Sequence, residues 1–128
     1  MEEKRNFYEV VEEIYAKDRR YKPDAYEFLI EALNYTQNKL KRQSHVTGKE
    51  LLECIRELII KQYGVMAKTV LSYWGITSTA DFGDIVFNMI NEKLLSKTET
   101  DSIEDFKDIY NFDEAFGHIL SDIELKDI

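Results

Sequence analysis

Glu114, His118 and Asp122 stand at i, i+4 and i+8, a spacing that puts two carboxylates and an imidazole on one face of a helix. Carboxylate oxygens and imidazole nitrogens are metal ligands, so a helix-borne metal site is the first chemistry this chain suggests. The same segment turns Phe116, Ile119, Leu120 and Ile123 to the opposite side, which makes the trio the solvent face of an amphipathic helix. His45 and Cys54 form a second candidate set, because a thiol beside an imidazole can act as nucleophile and base. Cys54 borders the stripe of Leu51, Ile55 and Leu58, however, where an inert packed thiol is the usual occupant, and no third residue orients the pair. No phosphate-cradling glycine loop and no nucleophile elbow occur. No catalytic, cofactor-binding or metal-ligating residue is therefore expected.

Aromatic residues and charge carry more information. Tyr8, Tyr21, Tyr26, Tyr35, Ile60 and Phe87 lie wholly or partly off the apolar stripes of their helices, and any that are exposed together would make a tyrosine-rich protein contact. The net charge of -8 is concentrated late in the chain. Residues 1 to 73 hold 13 basic and 12 acidic side chains, residues 74 to 128 only 4 basic against 13 acidic. Such a surface repels phosphate and anionic lipid. Acids around an apolar centre steer a basic partner and then hold it, so the expected partner site is Phe87, Glu99, Asp101, Glu104, Asp105, Phe106, Tyr110 and Phe112.

These residues need elements to position them. A chain of 128 residues with 44% hydrophobic and 33% charged residues is that of one globular domain rather than a disordered segment. The N-terminal residues Met1 to Phe7 do not read as a secretory signal, no apolar span of about 18 residues exists, and one cysteine cannot form an internal disulfide. A cytoplasmic chain that does not enter membranes is expected.

Phe7, Val10, Val11, Ile14 and Tyr15 predict a helix over 3 to 17, and Pro23 with Asp24 opens a second that runs to about Leu40. Thr47 and Glu50 have the form of a capping box before a third helix ending at Gly64, with a short fourth carrying Met66, Val70 and Trp74 to Gly75. Ser78 and Asp81 cap a fifth, whose stripe of Phe82, Ile85, Val86, Met89, Ile90 and Leu94 is the cleanest in the chain. Gly83 lies beside that stripe, where a missing side chain lets another helix approach closely. A short β-hairpin is expected between 95 and 112, and a last helix from Asp113 to about Leu125.

The expected architecture is mainly α, a compact domain of five to six helices. It divides into a helical pair over 1 to 40, a helix-turn-helix-like unit with a wing over 46 to 112, and a C-terminal helix over 113 to 128. That order is shared with winged helices. The recognition-helix candidate, Thr79 to Leu94, holds Asp81, Asp84 and Glu92 against Lys93, the wrong sign for gripping DNA.

Three segments, Tyr21-Lys22-Pro23-Asp24-Ala25-Tyr26-Glu27-Phe28, His45-Val46-Thr47-Gly48-Lys49-Glu50-Leu51-Leu52 and Asp81-Phe82-Gly83-Asp84-Ile85-Val86-Phe87, resemble those of a family of small uncharacterised bacterial proteins. The resemblance runs from the first helix to about Phe116 and implies a bacterial cytoplasmic origin, with no activity attached. The expected function is a non-enzymatic protein-interaction module with a basic protein partner. The alternatives are a winged-helix-like nucleic-acid-associated regulator and, after it, an enzyme of unknown type. A positive patch built from Arg19, Arg20, Lys22, Lys39, Lys41 and Arg42 would favour the regulator, a deep cleft holding His45 the enzyme, and an exposed tyrosine patch the interaction module.

The charge distribution makes a direct prediction. In a fluorescence-anisotropy titration at physiological salt, the protein should show no sub-micromolar affinity for duplex DNA. A tight complex that weakens steeply with added salt would contradict it.

Overall fold

The computed structural model of the chain describes residues 6 to 42, 45 to 96 and 102 to 117. Among them are six α-helices and two 3-10 turns in the order α1 Phe7–Lys17, α2 Pro23–Lys39, α3 Gly48–Tyr63, a 3-10 turn Gly64–Met66, α4 Ala67–Tyr73, α5 Thr79–Asn91, a 3-10 turn Ile103–Phe106 and α6 Phe112–Phe116. No strand occurs among the described residues, and none of their helices is long and apolar enough to cross a membrane.

Short polar side chains start these helices where the sequence places them. The Asn6 side chain accepts from the Glu9 N–H at 2.9 Å. Thr47 Oγ1 accepts from the Glu50 N–H at 3.1 Å while the Glu50 carboxylate accepts from the Thr47 N–H at 2.9 Å, closing a capping box at α3. Asp81 reaches back from the first turn of α5 to the N–H groups of Thr77 and Ser78 at 2.8 and 3.1 Å. Pro23 opens α2 at a position where its missing N–H costs nothing.

Helix α5 is the axis of the molecule. It buries Phe82, Gly83, Ile85, Val86 and Met89, and of its thirteen residues only Asn91 is exposed. Helices α2 and α3 flank it, and residues 102 to 116 wrap over it. The wrap is anchored by Phe106, whose ring sits on bare backbone: a Cβ on Gly48 would come 3.1 Å from it, and a Cβ on Gly83 would come 2.8 Å from the Phe106 Cβ. Beyond it Phe112 lies 6.0 Å from Phe82 and 5.2 Å from Phe116, and Tyr110 donates from its hydroxyl to the Leu52 carbonyl at 2.9 Å. The Ile109 N–H is satisfied by Thr79 Oγ1 at 3.1 Å.

This wrap replaces the expected hairpin. Four aromatic residues within 102 to 116 gain more by burying on α3 and α5 than by pairing strands, and a 3-10 turn capped by Ser102 suits the sharp entry. Helix α5 also stops three residues short of the expected Leu94. Lys93 takes a left-handed φ of 64°, and the Leu94 N–H folds back on the Met89 carbonyl at 2.8 Å, so Leu94 and Leu95 leave the helix. The start of the expected last helix is α6, and the rest lies outside the described residues. Helix α1 begins at Phe7; residues 3 to 5 of its expected span lie outside them too.

Gly75 is required for backbone reasons. Its φ is +94°, and a Cβ there would stand 2.0 Å from the Arg20 carbonyl oxygen. Next to it the Lys22 N–H donates to the Trp74 carbonyl at 3.1 Å, tying the α1–α2 link to the α4–α5 link.

Gly83→Ala should lower stability by about 1–2 kcal/mol in urea denaturation, because overpacking against the Cβ and Cγ of Phe106 outweighs alanine's better helix propensity. In a Phe106→Ala background, itself costing about 3–5 kcal/mol, the same change should become neutral or stabilising. Additive losses in the double variant would show that Phe106 is not the obstructing group.

Candidate functional site

Three helix ends meet at a cleft of about 560 Å³. Leu29, Leu33 and Gln37 come from the later turns of α2, residues 45 to 48 and Leu51 from the entry to α3, and Val86, Phe87, Met89 and Ile90 from α5, with Leu94, Leu95 and Ser96 following. Asp105 and Phe106 close the remaining side. The walls are mostly aliphatic with the rings of Phe87 and Phe106, and Gln37, His45, Thr47, Ser96 and Asp105 supply the polar groups. The loop that carries His45 is stapled down by Arg42, which gives two hydrogen bonds to the Glu50 carboxylate at 2.7 and 3.1 Å and one at 3.4 Å to the His45 carbonyl. The Arg42 side chain, followed by the Thr47 N–H, pushes the Glu50 carboxyl down to about 2.

A polar network clamps the opposite flank of α5. The Tyr21 hydroxyl lies 2.6 Å from Asp81 Oδ1 and 3.0 Å from Asp84 Oδ2, with one proton to share between them. Arg20 donates to Asp84 at 3.1 Å and to Asp18 at 2.8 and 2.9 Å. Asn88 donates to both Asp18 and the Tyr26 hydroxyl at 3.0 Å. Arg20 thereby holds the Asp18 carboxyl well below the usual carboxylate range, while burial, reinforced by the hydrogen bond to Asp81, pushes the Tyr21 phenol up. Burial likewise raises Tyr26 and Tyr110. These tyrosines are therefore structural, and of the off-stripe tyrosines Tyr21 and Tyr26 are buried while Tyr8 is exposed.

The exposed aromatics are elsewhere. Tyr63, Val65, Met66 and Tyr73 all stand out between residues 63 and 73, Met66 at 51% and Tyr73 at 68% exposure. Trp74, edge-on to Tyr63 at 6.0 Å, lies under this corner, and the Lys22 ammonium sits over the Tyr73 ring at 4.9 Å. Sequence periodicity had assigned Met66 to the inner face of α4, but Ala67 and Leu71 take that face. Gly64, with φ +53°, breaks the helical phase, so the stripe of α3 does not continue into α4. Two apolar residues directly after a helix-ending glycine were the signal available for this corner. Tyr8, also exposed, stands on α1 with its hydroxyl on Glu27 at 3.2 Å.

The expected partner site does not form as an acid-ringed apolar surface. Phe106 and Phe112 are core residues, Tyr110 is half-buried and tied to Leu52, and Phe87 is half-buried in the cleft wall. Glu104 and Asp105 are exposed, while Glu99 and Asp101 lie outside the described residues. The physical reason is the wrap: the same rings that the charge pattern assigned to a partner are consumed by α3 and α5. Glu114 is exposed, and His118 and Asp122 lie outside the described residues; among those described, no group of three His, Cys, Asp or Glu side chains could hold a metal ion. Cys54 is buried and does not line the cleft with His45.

Several of the basic candidates are engaged within the fold. Arg20, Lys39 and Arg42 are paired with Asp18, Glu57 and Glu50, and Arg19 lies over Tyr15. The candidate recognition helix is the enclosed α5. Comparison with protein-family models, with curated proteins and with solved structures finds no match to this chain.

The shifted groups set the pH response of stability. Asp18 and Glu50 titrate lower in the fold than their ordinary 3.8 and 4.5, so their contribution is complete above those values and is lost as pH falls. Tyr21, Tyr26 and Tyr110 titrate above the ordinary 10.0, so theirs is complete below it and is lost as pH rises. Urea midpoints should be flat between about pH 5 and 9 and fall on both sides. Asp18→Asn should flatten the acid limb and Tyr21→Phe the alkaline limb, and unchanged limbs would contradict these assignments.

Proposed function

We propose that this chain is a non-enzymatic protein-interaction module and that it meets its partner at the corner formed by Tyr63, Val65, Met66 and Tyr73. The observation that supports it most is the exposure of four large apolar side chains within one short stretch. Aromatic and methionine side chains are enriched at the centres of protein interfaces, where they bury area at low conformational cost. Single exposed apolar residues need no explanation; a cluster does. Lys22, just before α2, holds its ammonium over the Tyr73 ring, so the partner that fits is one with acidic groups around an apolar centre, the reverse of the basic partner that the overall charge suggested. A bacterial cytoplasmic setting goes with the family resemblance of the three sequence segments.

An enzymatic reading is the second choice, and it has one observation behind it. His45, Ser96 and Asp105 line the same cleft, and these are the residue types of an acyl-transfer triad. Asp105, however, has Oδ2 on the Ser102 N–H at 3.2 Å, where it caps its own turn rather than orienting an imidazole. Labelling of Ser96 by a fluorophosphonate probe, abolished by His45→Ala, would put this reading ahead of ours.

Val65→Ser, Met66→Ser and Tyr73→Ser together test the proposal. As surface changes each should alter stability by no more than about 0.5 kcal/mol. Proteins cross-linked to the wild type in the native cell should be lost with the triple variant, and a purified partner should bind it at least about tenfold more weakly. Retention of every partner at unchanged affinity would refute the proposal.

A further inference from the structure

The exposed corner carries a sulfur atom, and that sulfur has chemistry of its own. The chain holds three methionines and one cysteine, and they differ sharply in their access to water. Met89 is fully buried on α5 and Cys54 is buried on α3, whereas Met66 is 51% exposed. Met1 lies outside the described residues. Among the described residues Met66 is therefore the sulfur that a dissolved oxidant reaches first.

A thioether is oxidised through its sulfur lone pair, and the product is a polar, chiral sulfoxide. With hydrogen peroxide the lone pair attacks one peroxide oxygen, so an S–O bond forms as the O–O bond breaks. The departing hydroxide takes the proton of the transferred oxygen and leaves as water. Sulfur loses two electrons, the peroxide gains them, and no further reactant is consumed. The return step takes two thiols, which supply two electrons as they join in a disulfide and release the oxygen as water.

The fold is indifferent to this change, and the surface is not. Ala67 and Leu71 take the inner face of α4, and the Met66 side chain makes no capping hydrogen bond to the helix it precedes. An oxygen added to its sulfur meets solvent and displaces nothing in the core. It does so within the stretch that exposes Tyr63, Val65 and Tyr73. A sulfoxide oxygen accepts hydrogen bonds from water, and burial against an apolar surface strips that water away. Ionised carboxylates on the partner are acceptors only, so they offer no donor in its place.

We propose that Met66 is an oxidation site, and that its conversion to the sulfoxide by a peroxide turns this corner from apolar to polar and releases the partner. The proposal rests on the reading of the corner as the partner surface.

Peroxide treatment of the full chain, with the oxidised residues assigned by peptide mapping in a mass spectrometer, tests the site. Met66 should react at a rate within about threefold of N-acetylmethionine amide and Met89 at least about tenfold more slowly, with the urea midpoint unchanged. Retention on a phenyl-substituted column in ammonium sulfate then reads the corner without any partner. Oxidised wild type should elute earlier than untreated protein, and Met66→Leu should keep its retention through the same treatment. Met66→Gln, a polar side chain of similar length, should elute early with no oxidant. Both variants should keep the wild-type urea midpoint, because the position is exposed. Protection of Met66, equal oxidation of Met66 and Met89, loss of the fold on oxidation, unchanged retention, or a shift that Met66→Leu shares would each overturn the proposal. A partner whose binding the triple serine variant weakens should bind oxidised wild type at least about tenfold more weakly, and oxidised Met66→Leu as it binds untreated protein. If that partner binds oxidised wild type unchanged, the switch falls and the corner stands as its site. If the serine variant keeps every partner, the corner falls as a partner site and the release step falls with it, while the oxidation map is unaffected.

Discussion

One aromatic ring seated on the bare backbone of two helices is the constraint on which the rest of this structure depends. Phe106 occupies the space that side chains at Gly48 and Gly83 would fill, so α3 and α5 approach the wrap more closely than two ordinary helices could. That contact fixes where residues 102 to 116 cross α5. It also makes Phe106 part of the cleft lining, so the packing that closes the core also shapes the cleft. Glycine in a helix interior costs helical stability, by about 1 kcal/mol relative to alanine. At Gly83 that cost is offset by burying a whole phenyl ring, a gain that only the tertiary contact supplies.

On its other flank α5 is held by a polar clamp. Tyr21, Asp81, Asp84, Arg20, Asp18, Asn88 and Tyr26 satisfy one another, and among the described residues no buried side-chain nitrogen or oxygen lacks a partner. A network of this kind is stabilising only when it is complete, because an unpaired member would carry its full desolvation penalty. Phe106 fixes the distance of the wrap from α5, and the clamp fixes how the α1–α2 link meets the first turns of α5. Of the thirteen residues of α5 only Asn91 is exposed.

Two surfaces then remain for work, and they differ in physical character. The corner at Tyr63, Val65, Met66 and Tyr73 is exposed and apolar, with Lys22 over the Tyr73 ring. The cleft is concave and apolar inside, with the exposed carboxylate of Asp105 in its lining. The corner lies outside the acidic stretch that dominates the net charge, whereas the cleft takes Phe87, Asp105 and Phe106 from it.

The sequence alone determined the helical class, the Thr47–Glu50 box, the start of α2 at Pro23 and the left-handed end of α3 at Gly64. These are legible because each depends on residues within a few positions of one another, through capping hydrogen bonds, a fixed φ or a missing Cβ. Periodicity likewise identified Phe82, Ile85, Val86 and Met89 as core. Only the tertiary structure decided the destinations of Tyr21, Tyr26, Phe106 and Phe112, which burial claimed from the surface. It alone brought Leu33, His45, Ile90 and Asp105 around one cleft and left Met66 and Tyr73 outside. Those outcomes depend on which faces of distant helices compete for the same ring, and local spacing carries no record of that competition.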